Sequence, residues 1–228
     1  MISAKGLFGR AIDAHDGHIG SLHDLYFDDQ GWTIRYLVID TAKWLPGRKV
    51  LISPEATLQP WHGEGALPVK LTKDQIKSSP DIDTAQPISR KAERLLYTHY
   101  GWIPYWAAPG VPAPPPLPPA GAASAEERRE AAEEAESASE PRLRSIREVL
   151  GYHLLATDGE IGHIEDLVLD DNTSRILFVI VNLGEWLSRK RVLLSPRLIS
   201  KIDWASSKVV TEASRQAVKT SPEYERPA

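Results

Sequence analysis

Short segments of alternating apolar and polar residues, separated by turn residues, run along the chain and predict β-strands. The clearest segment is 32–40, which becomes apolar on both faces towards its end and is therefore predicted to be a central strand. Strict alternation places Trp32, Ile34, Tyr36 and Val38 on one face and Thr33, Arg35, Leu37 and Ile39 on the other. The segment 176–181 repeats the pattern, with Ile176, Phe178 and Ile180 opposite Leu177, Val179 and Val181.

Turn signals at even spacing divide each half of the chain into about six short strands. Asp16-Gly17 is a typical turn, because glycine accepts positive φ and aspartate bonds back to the local backbone. Gly20, near the start of the following strand, predicts a bulge or a close backbone approach. A short helical turn closes each series, at 72–77 and 214–219, and Thr72 and Gln75 have capping-box spacing. We therefore predict a mainly β fold of small antiparallel barrels, each ending in a short helical turn.

The series of elements occurs twice. Residues 14–54 align without a gap on residues 156–196, and the register continues beyond both ends. An internal repeat of this kind indicates two domains. We call the two halves the first copy and the second copy, and predict domains at 1–83 and 142–228 joined by a linker at 84–141. Identical pairs include Asp16/Asp158, Asp24/Asp166, Leu25/Leu167, Trp44/Trp186, Leu45/Leu187 and Ser53/Ser195.

Each copy is small, so it is marginally stable alone, and we expect the copies to pack on each other or on another molecule of the chain. The chain has no cysteine, which excludes disulfides, thiolate zinc sites and cysteine nucleophiles. Its net charge is -4, whereas a protein that binds the phosphate backbone of a nucleic acid usually has a surplus of basic residues. No apolar run is long enough for a signal peptide or a membrane span, so we expect a cytoplasmic protein, with peripheral membrane contact left open.

The linker has three segments that differ in amino-acid composition. Residues 89–106 begin like a helix and end in aromatic residues, and residues 109–119 are proline-rich, which predicts an extended spacer. Residues 122–140 are rich in alanine and glutamate, and the sequence leaves open whether they form a solvated helix or are disordered. We predict a linker that is flexible in part.

Two motifs resemble those of the PRC-barrel family. They are DGEIGHIEDLVLDD and RKRVLLSP in the second copy, with DGHIGSLHDLYFDD and GRKVLISP at the same places in the first. The family includes the cytoplasmic barrel of the photosynthetic reaction-centre H subunit and a barrel of a ribosome-maturation factor. The resemblance covers both copies but not the linker. It implies two PRC-type barrels that act as non-catalytic interaction modules.

The residues themselves offer little for catalysis or for holding a cofactor. The repeated aspartates, such as Asp16 and Asp24, lack the alternation of a calcium loop and fall at predicted turns. His15, His18 and His23 cluster in the first copy only, and are interpreted as exposed loop residues. Nucleophile-elbow, phosphate-loop, dinucleotide-binding and zinc-protease motifs are absent. We therefore expect no enzyme activity, no metal site and no cofactor.

Two groups of residues are candidates for binding a partner. Tryptophan beside arginine is typical of interface hot spots, and such a loop occurs in each copy: Trp44, Leu45 and Arg48 in the first, and Trp186, Leu187 and Arg189 in the second. The aromatic residues of the linker form the other group, namely Tyr97, Trp102, Tyr105 and Trp106. The alternatives are that each tryptophan caps its own barrel and that the linker aromatics pack over the seam between the copies or lie at a membrane interface.

From these observations we predict a non-catalytic adaptor that docks a protein partner. The resemblance makes the cytoplasmic side of a bacterial photosynthetic or electron-transport complex one setting. The alternative function is that of an accessory protein in RNA processing or ribosome assembly, by analogy with the maturation factor. The two differ in salt dependence, since binding to RNA weakens steeply as salt rises.

Overall fold

The first copy contains six strands and two short helices. The computed structural model describes residues 1–41, 44–58, 60–82, 84, 88–107, 143–184 and 190–225. Elements of the first copy are β1 (Ile2–Ser3), α1 (Ala4–Leu7), β2 (Ala11–Ala14), β3 (Gly17–Asp28), β4 (Thr33–Asp40), β5 (Lys49–Ile52), a 3-10 turn (Pro54–Ala56), β6 (Leu67–Pro68) and α2 (Lys73–Lys77). The predicted capping box is confirmed: the Thr72 hydroxyl accepts from the Gln75 backbone, and the Gln75 side chain accepts from Thr72.

The second copy repeats this order of elements after the linker and adds one strand, β12, after its 3-10 turn. The linker contributes α3 (Arg90–Tyr100) and a 3-10 turn (Tyr105–Ala107). The second copy consists of β7 (Leu143–Ser145), α4 (Ile146–Val149), β8 (His153–Ala156), β9 (Gly159–Asp170), β10 (Arg175–Asn182), β11 (Arg191–Leu194), a 3-10 turn (Pro196–Leu198), β12 (Ile199–Asp203), β13 (Lys208–Thr211) and α5 (Arg215–Lys219). The proline-rich and Ala/Glu-rich predictions, at 109–119 and 122–140, lie outside the described residues.

The fold is mainly β, as predicted, but the strands of the two copies join one curled sheet. Its order is β12-β13-β8-β9-β10-β4-β3-β2-β6, and β4 meets β10 through the pairing of Thr33 with Arg175. Pairing is antiparallel throughout except for β2 with β6 and β8 with β13. The prediction of two distinct barrels is therefore not confirmed, because pairing at the β4–β10 edge continues from one copy into the other.

The copies also exchange their leading segments. Strand β1, which begins the first copy, pairs with β9 of the second, where Ile2 lies opposite Leu169. Strand β7, which begins the second copy, pairs with β3 of the first, where Leu143 lies opposite Asp28. The predicted domain boundaries at 1–83 and 142–228 divide the sequence, but each leading segment packs on the other copy.

One hydrophobic core spans both copies. Fully buried side chains of the first copy, such as Leu25 and Phe27, belong to the same cluster as Leu167 and Val181 of the second. The exchanged helices add to it, since Leu7 of α1 has no exposed surface. Burying two small apolar faces against each other compensates for the limited core that a domain of this size can form alone.

The predicted assignment of β4 side chains to faces is wrong in its first half. In β4, Tyr36 pairs with Tyr26 and Ile34 pairs with Phe27, so the intervening Arg35 has no residue opposite it. Such a bulge shifts the alternation by one residue. Ile34 consequently faces the core together with Leu37 and Ile39, whereas Tyr36 and Val38 face outward. The equivalent bulge in β10 falls at Leu177, so Phe178 faces outward.

The bulge that we predicted near Gly20 is confirmed by a register shift between β2 and β3. Gly20 has a φ of 144°, and a Cβ there would overlap the Asp40 carbonyl. Gly162 repeats the situation in the second copy, at a φ of 66° and against the Asn182 carbonyl. Only glycine allows the backbones to approach this closely at positive φ.

Candidate functional site

The outward face of the first copy carries the linker helix α3. The helix begins where the Ser89 hydroxyl accepts from the Ala92 backbone at 3.2 Å, and it ends at Gly101, which is left-handed. Serine is a favoured N-cap, and glycine accepts the left-handed C-cap without strain. One side of the helix is buried against the sheet, and this side consists of Arg90, Glu93, Leu96 and Tyr97.

The predicted linker aromatics form one cluster on this face. The Tyr97 ring lies 4.9 Å from Trp106, 5.8 Å from Trp102 and 6.3 Å from Tyr105, measured between ring centroids. Below them lies Tyr36 of β4, whose ring meets Tyr97 edge-on at 6.4 Å. The structure therefore brings Tyr97, Trp102, Tyr105 and Trp106 together, on the outward face of β4 and β5. The second copy contributes Leu143 of β7 to the same cluster.

A buried carboxylate holds the helix to the sheet. Glu93 is 1 % exposed, and it accepts hydrogen bonds from the Tyr36 hydroxyl at 2.8 Å and from Arg90 at 2.8 Å. The Tyr105 hydroxyl lies 3.1 Å from both Glu93 and Arg90. Burial raises the pKa of Glu93 above its ordinary value, and the Arg90 charge and the two tyrosine hydroxyls act against this. Burial also raises the pKa of Tyr36, so its hydroxyl stays protonated and donates.

Two guanidinium groups stack on the aromatic rings. Arg90 lies 4.0 Å from the centre of the Trp106 ring, and Arg35 lies 3.9 Å from the centre of the Tyr105 ring. Cation–π contacts of this kind are worth about 0.5–1 kcal/mol at exposed sites and more when they are desolvated. The bulge at Arg35 therefore has a consequence for the linker, because it places the Arg35 guanidinium over the Tyr105 ring. These contacts fasten the 3-10 turn that follows α3.

The tryptophan loop of the first copy is only partly exposed for contact with a partner. Trp44 is half-buried and packs against the core, with the Lys73 ammonium 5.6 Å from its ring centre. Arg48 donates to the Lys77 carbonyl at 2.8 Å and to Ser79, so its guanidinium fastens the end of α2. The Leu45 carbonyl accepts from the Thr41 hydroxyl at 2.8 Å. These contacts favour the interpretation in which the loop caps its own copy.

The second-copy counterparts of this loop, Trp186, Leu187 and Arg189, lie outside the described residues, so their candidacy stays a prediction. Tyr100 joins the linker aromatics to the core, because it packs against both the core and the aromatic cluster. Its ring stacks on Trp102 at 4.3 Å.

A pair of buried aspartates, interpreted from the sequence as turn residues, joins the two copies. Asp24 accepts from the Ser145 hydroxyl at 2.5 Å and from the Arg147 backbone at 3.1 Å. Asp166 accepts in the same way from Ser3 at 2.5 Å and from Lys5 at 3.1 Å. Burial raises the pKa of Asp24, although the Ser145 hydroxyl and the backbone donors lower it. The sequence does carry a signal for this contact, because serine and aspartate recur at equivalent positions of both copies: Ser3 with Ser145, and Asp24 with Asp166.

Among the described residues, no three histidine or carboxylate side chains are arranged so that they could hold a metal ion. His18 pairs with Asp13 at 3.0 Å in an exposed position, and His62 bonds to Asp171 at 2.5 Å. None of the helices in the described ranges is both long enough and apolar enough to cross a membrane.

A comparison with protein families identifies the second copy. Residues 141–217 match the family model described as PRC-barrel domain. No curated protein matches the chain.

Proposed function

Since residues 141–217 belong to the PRC-barrel domain family, we propose that the chain is a non-catalytic adaptor that docks a protein partner. The observation that carries the proposal is that the outward face of its sheet binds a helix. On the first copy, Tyr36, Val38 and Leu51 bury one side of α3 together with the aromatic residues that follow. A sheet face of this composition is suited to hold helical and aromatic segments, since aromatic side chains dominate interface energetics.

The chemistry of the described residues supports a binding role. Three buried carboxylates serve to join elements: Glu93 fastens α3 to the sheet, and Asp24 and Asp166 fasten the exchanged segments. Each copy, as its part of the shared curled sheet, is proposed to be a PRC-type barrel module. The finer setting that we propose is the cytoplasmic side of a membrane complex of photosynthesis or electron transport, reached by docking from the aqueous phase.

The test is capture of partners by the full-length chain from a lysate of its own source, followed by identification and by reconstitution with the purified partner. We expect a defined protein to bind in constant ratio, and binding to survive both high salt and ribonuclease treatment. Binding to RNA would instead fall steeply with salt, because counterions are released from the phosphates. Capture that disappears with ribonuclease or with high salt would overturn the proposal in favour of an RNA-linked role.

A further inference from the structure

The second copy has an open apolar groove on its outward face. The groove lies between the exchanged β1 segment and the strands β9, β10 and β11. Lys5 follows β1 on one side of the groove, and Glu223 and Glu225 lie beside β11 on the other, where the Glu223 carboxylate is 3.6 Å from the Lys190 ammonium. Its apolar lining is formed by Met1, Ile2, Val168, Phe178, Leu193 and Tyr224.

This groove is the counterpart of the surface that α3 covers on the first copy. When the two copies are aligned, Val168, Phe178, Leu193 and Met1 fall at the positions of Tyr26, Tyr36, Leu51 and Leu143. Tyr26, Tyr36, Leu51 and Leu143 all belong to the aromatic cluster under α3 or pack against it. Leu143 is 9 % exposed beneath the linker, whereas its counterpart Met1 is 80 % exposed. In the part of the chain that the structure describes, no counterpart of α3 packs on the second copy.

The two faces differ in polarity at the point where the helix docks. Tyr36, which donates to Glu93, is replaced by Phe178, and Arg35, which stacks on the linker, is replaced by Leu177. A glutamate buried over Phe178 would keep its arginine partner on the helix but would receive no hydrogen bond from the sheet, and a buried ion pair that lacks additional hydrogen bonds is unfavourable. The second face therefore rejects a helix like α3 and selects one whose inward side is entirely apolar.

We propose that the groove binds an amphipathic helix of a partner protein, with apolar residues where α3 has Arg90, Glu93, Leu96 and Tyr97. The charges on the rims fix its direction, because an acidic flank would lie beside Lys5 and a basic flank beside Glu223 and Glu225. Recognition of this type uses side chains spaced three and four apart on one face of a helix. The inference rests on the proposed adaptor role and specifies the surface that performs it.

The first experiment uses the intact wild-type chain and a synthetic peptide as probe. The peptide has the sequence of residues 88–106 with the changes Arg90→Leu and Glu93→Leu. Methyl resonances are recorded by NMR during titration. We expect shifts at the methyl groups of Val168 and Leu193, with those of Val38 and Leu51 unchanged because α3 covers them. The unsubstituted peptide should bind at least about tenfold more weakly, since its Arg90–Glu93 pair would be desolvated without the hydrogen bond that Tyr36 supplies on the first copy.

The second experiment measures the affinity of the substituted peptide for variants by fluorescence anisotropy. Phe178→Asp and Leu193→Asp should each weaken binding by about tenfold or more, because both place a charge in the apolar contact. Leu198→Asp is the matched control, since Leu198 is exposed on the same copy but does not line the groove. It should change the affinity by less than about twofold. Circular dichroism melting identifies any variant that is unfolded.

Three results would overturn the inference. They are shifts at Val38 and Leu51 with none at Val168 and Leu193, equal affinity for a scrambled peptide, or dimerisation of the chain that Leu193→Asp abolishes. The last result would assign the groove to a second copy of the chain. Failure here leaves the adaptor role to be judged separately, because capture of a partner from lysate does not depend on this peptide.

Discussion

Replacing Asp24 by alanine should destabilise the chain by separating the two copies at one of their exchange points. Asp24 is 5 % exposed and lies where the leading segment of the second copy reaches β3. It accepts from the Ser145 hydroxyl at 2.5 Å, from the Arg147 backbone at 3.1 Å and from the Leu25 backbone at 2.7 Å. Alanine leaves these donors without their acceptor.

The expected loss of unfolding free energy follows from this geometry. A hydrogen bond to a charged group contributes about 1.5–3 kcal/mol, and leaving a buried donor unsatisfied costs about 1–3 kcal/mol. Burial of the carboxylate opposes the gain and raises the pKa of Asp24, so the sum of the bonds is an upper bound. We expect Asp24→Ala to cost about 3 kcal/mol, and Asp24→Asn, which keeps one acceptor without the charge, about 1 kcal/mol.

Equilibrium urea unfolding followed by circular dichroism provides the measurement. Asp13→Ala is the control, because Asp13 is half exposed and pairs only with the exposed His18, so its loss should cost less than about 0.5 kcal/mol. A double-mutant cycle with Ser145→Ala should give a coupling of about 1 kcal/mol. The reasoning fails if Asp24→Ala costs no more than Asp13→Ala, or if the two substitutions in the cycle are additive.

Three further changes test other parts of the structure. Gly162→Ala should destabilise the chain by more than about 2 kcal/mol in urea, because the new Cβ meets the Asn182 carbonyl at positive φ; an unchanged midpoint would contradict the close approach. Glu93→Gln should cost about 1–3 kcal/mol at neutral pH, because the amide nitrogen replaces an oxygen that accepts hydrogen bonds at this buried position. Since burial raises the pKa of Glu93, the folded chain binds a proton at a higher pH than the unfolded chain does. The difference in unfolding free energy between the wild type and this variant should therefore grow as the pH falls through the raised pKa towards 4.5. A difference that shrinks over this range would refute the direction. Leu7→Ala should cost about 3 kcal/mol, since Leu7 is fully buried, and should lower the midpoint of one shared thermal transition; a loss confined to one of two separate transitions would contradict the shared core.

Elements that depend on local chemistry were predictable from the sequence. The turn at Asp16-Gly17, the capping box at Thr72 and the bulge beside Gly20 all follow from the conformational preferences of single residues. The bulge at Arg35 was missed because a residue left out of a ladder depends on the register of the neighbouring strand. Strict alternation therefore assigned Ile34 to the wrong face.

The candidate site was predictable in composition and not in position. The sequence singled out Tyr97, Trp102, Tyr105 and Trp106 as unusual, since aromatic residues are concentrated in an otherwise polar linker. Their position on the sheet depends on Glu93, which in the sequence looks like an ordinary solvent-exposed charge on a helix. Only packing shows that Glu93 points at the Tyr36 hydroxyl and is buried.

By itself, the sequence determined the strands, their turns and the repetition of both, because these arise from neighbouring residues and from comparing the chain with itself. The tertiary structure alone decided that β1 and β7 exchange partners and that the β4–β10 pairing joins both copies in one sheet. It also decided that α3 covers one outward face, while no helix of the described ranges covers the equivalent face. Strand partners are chosen by burial and backbone hydrogen bonds between residues far apart in sequence, and two copies with similar strands offer each strand two similar partners.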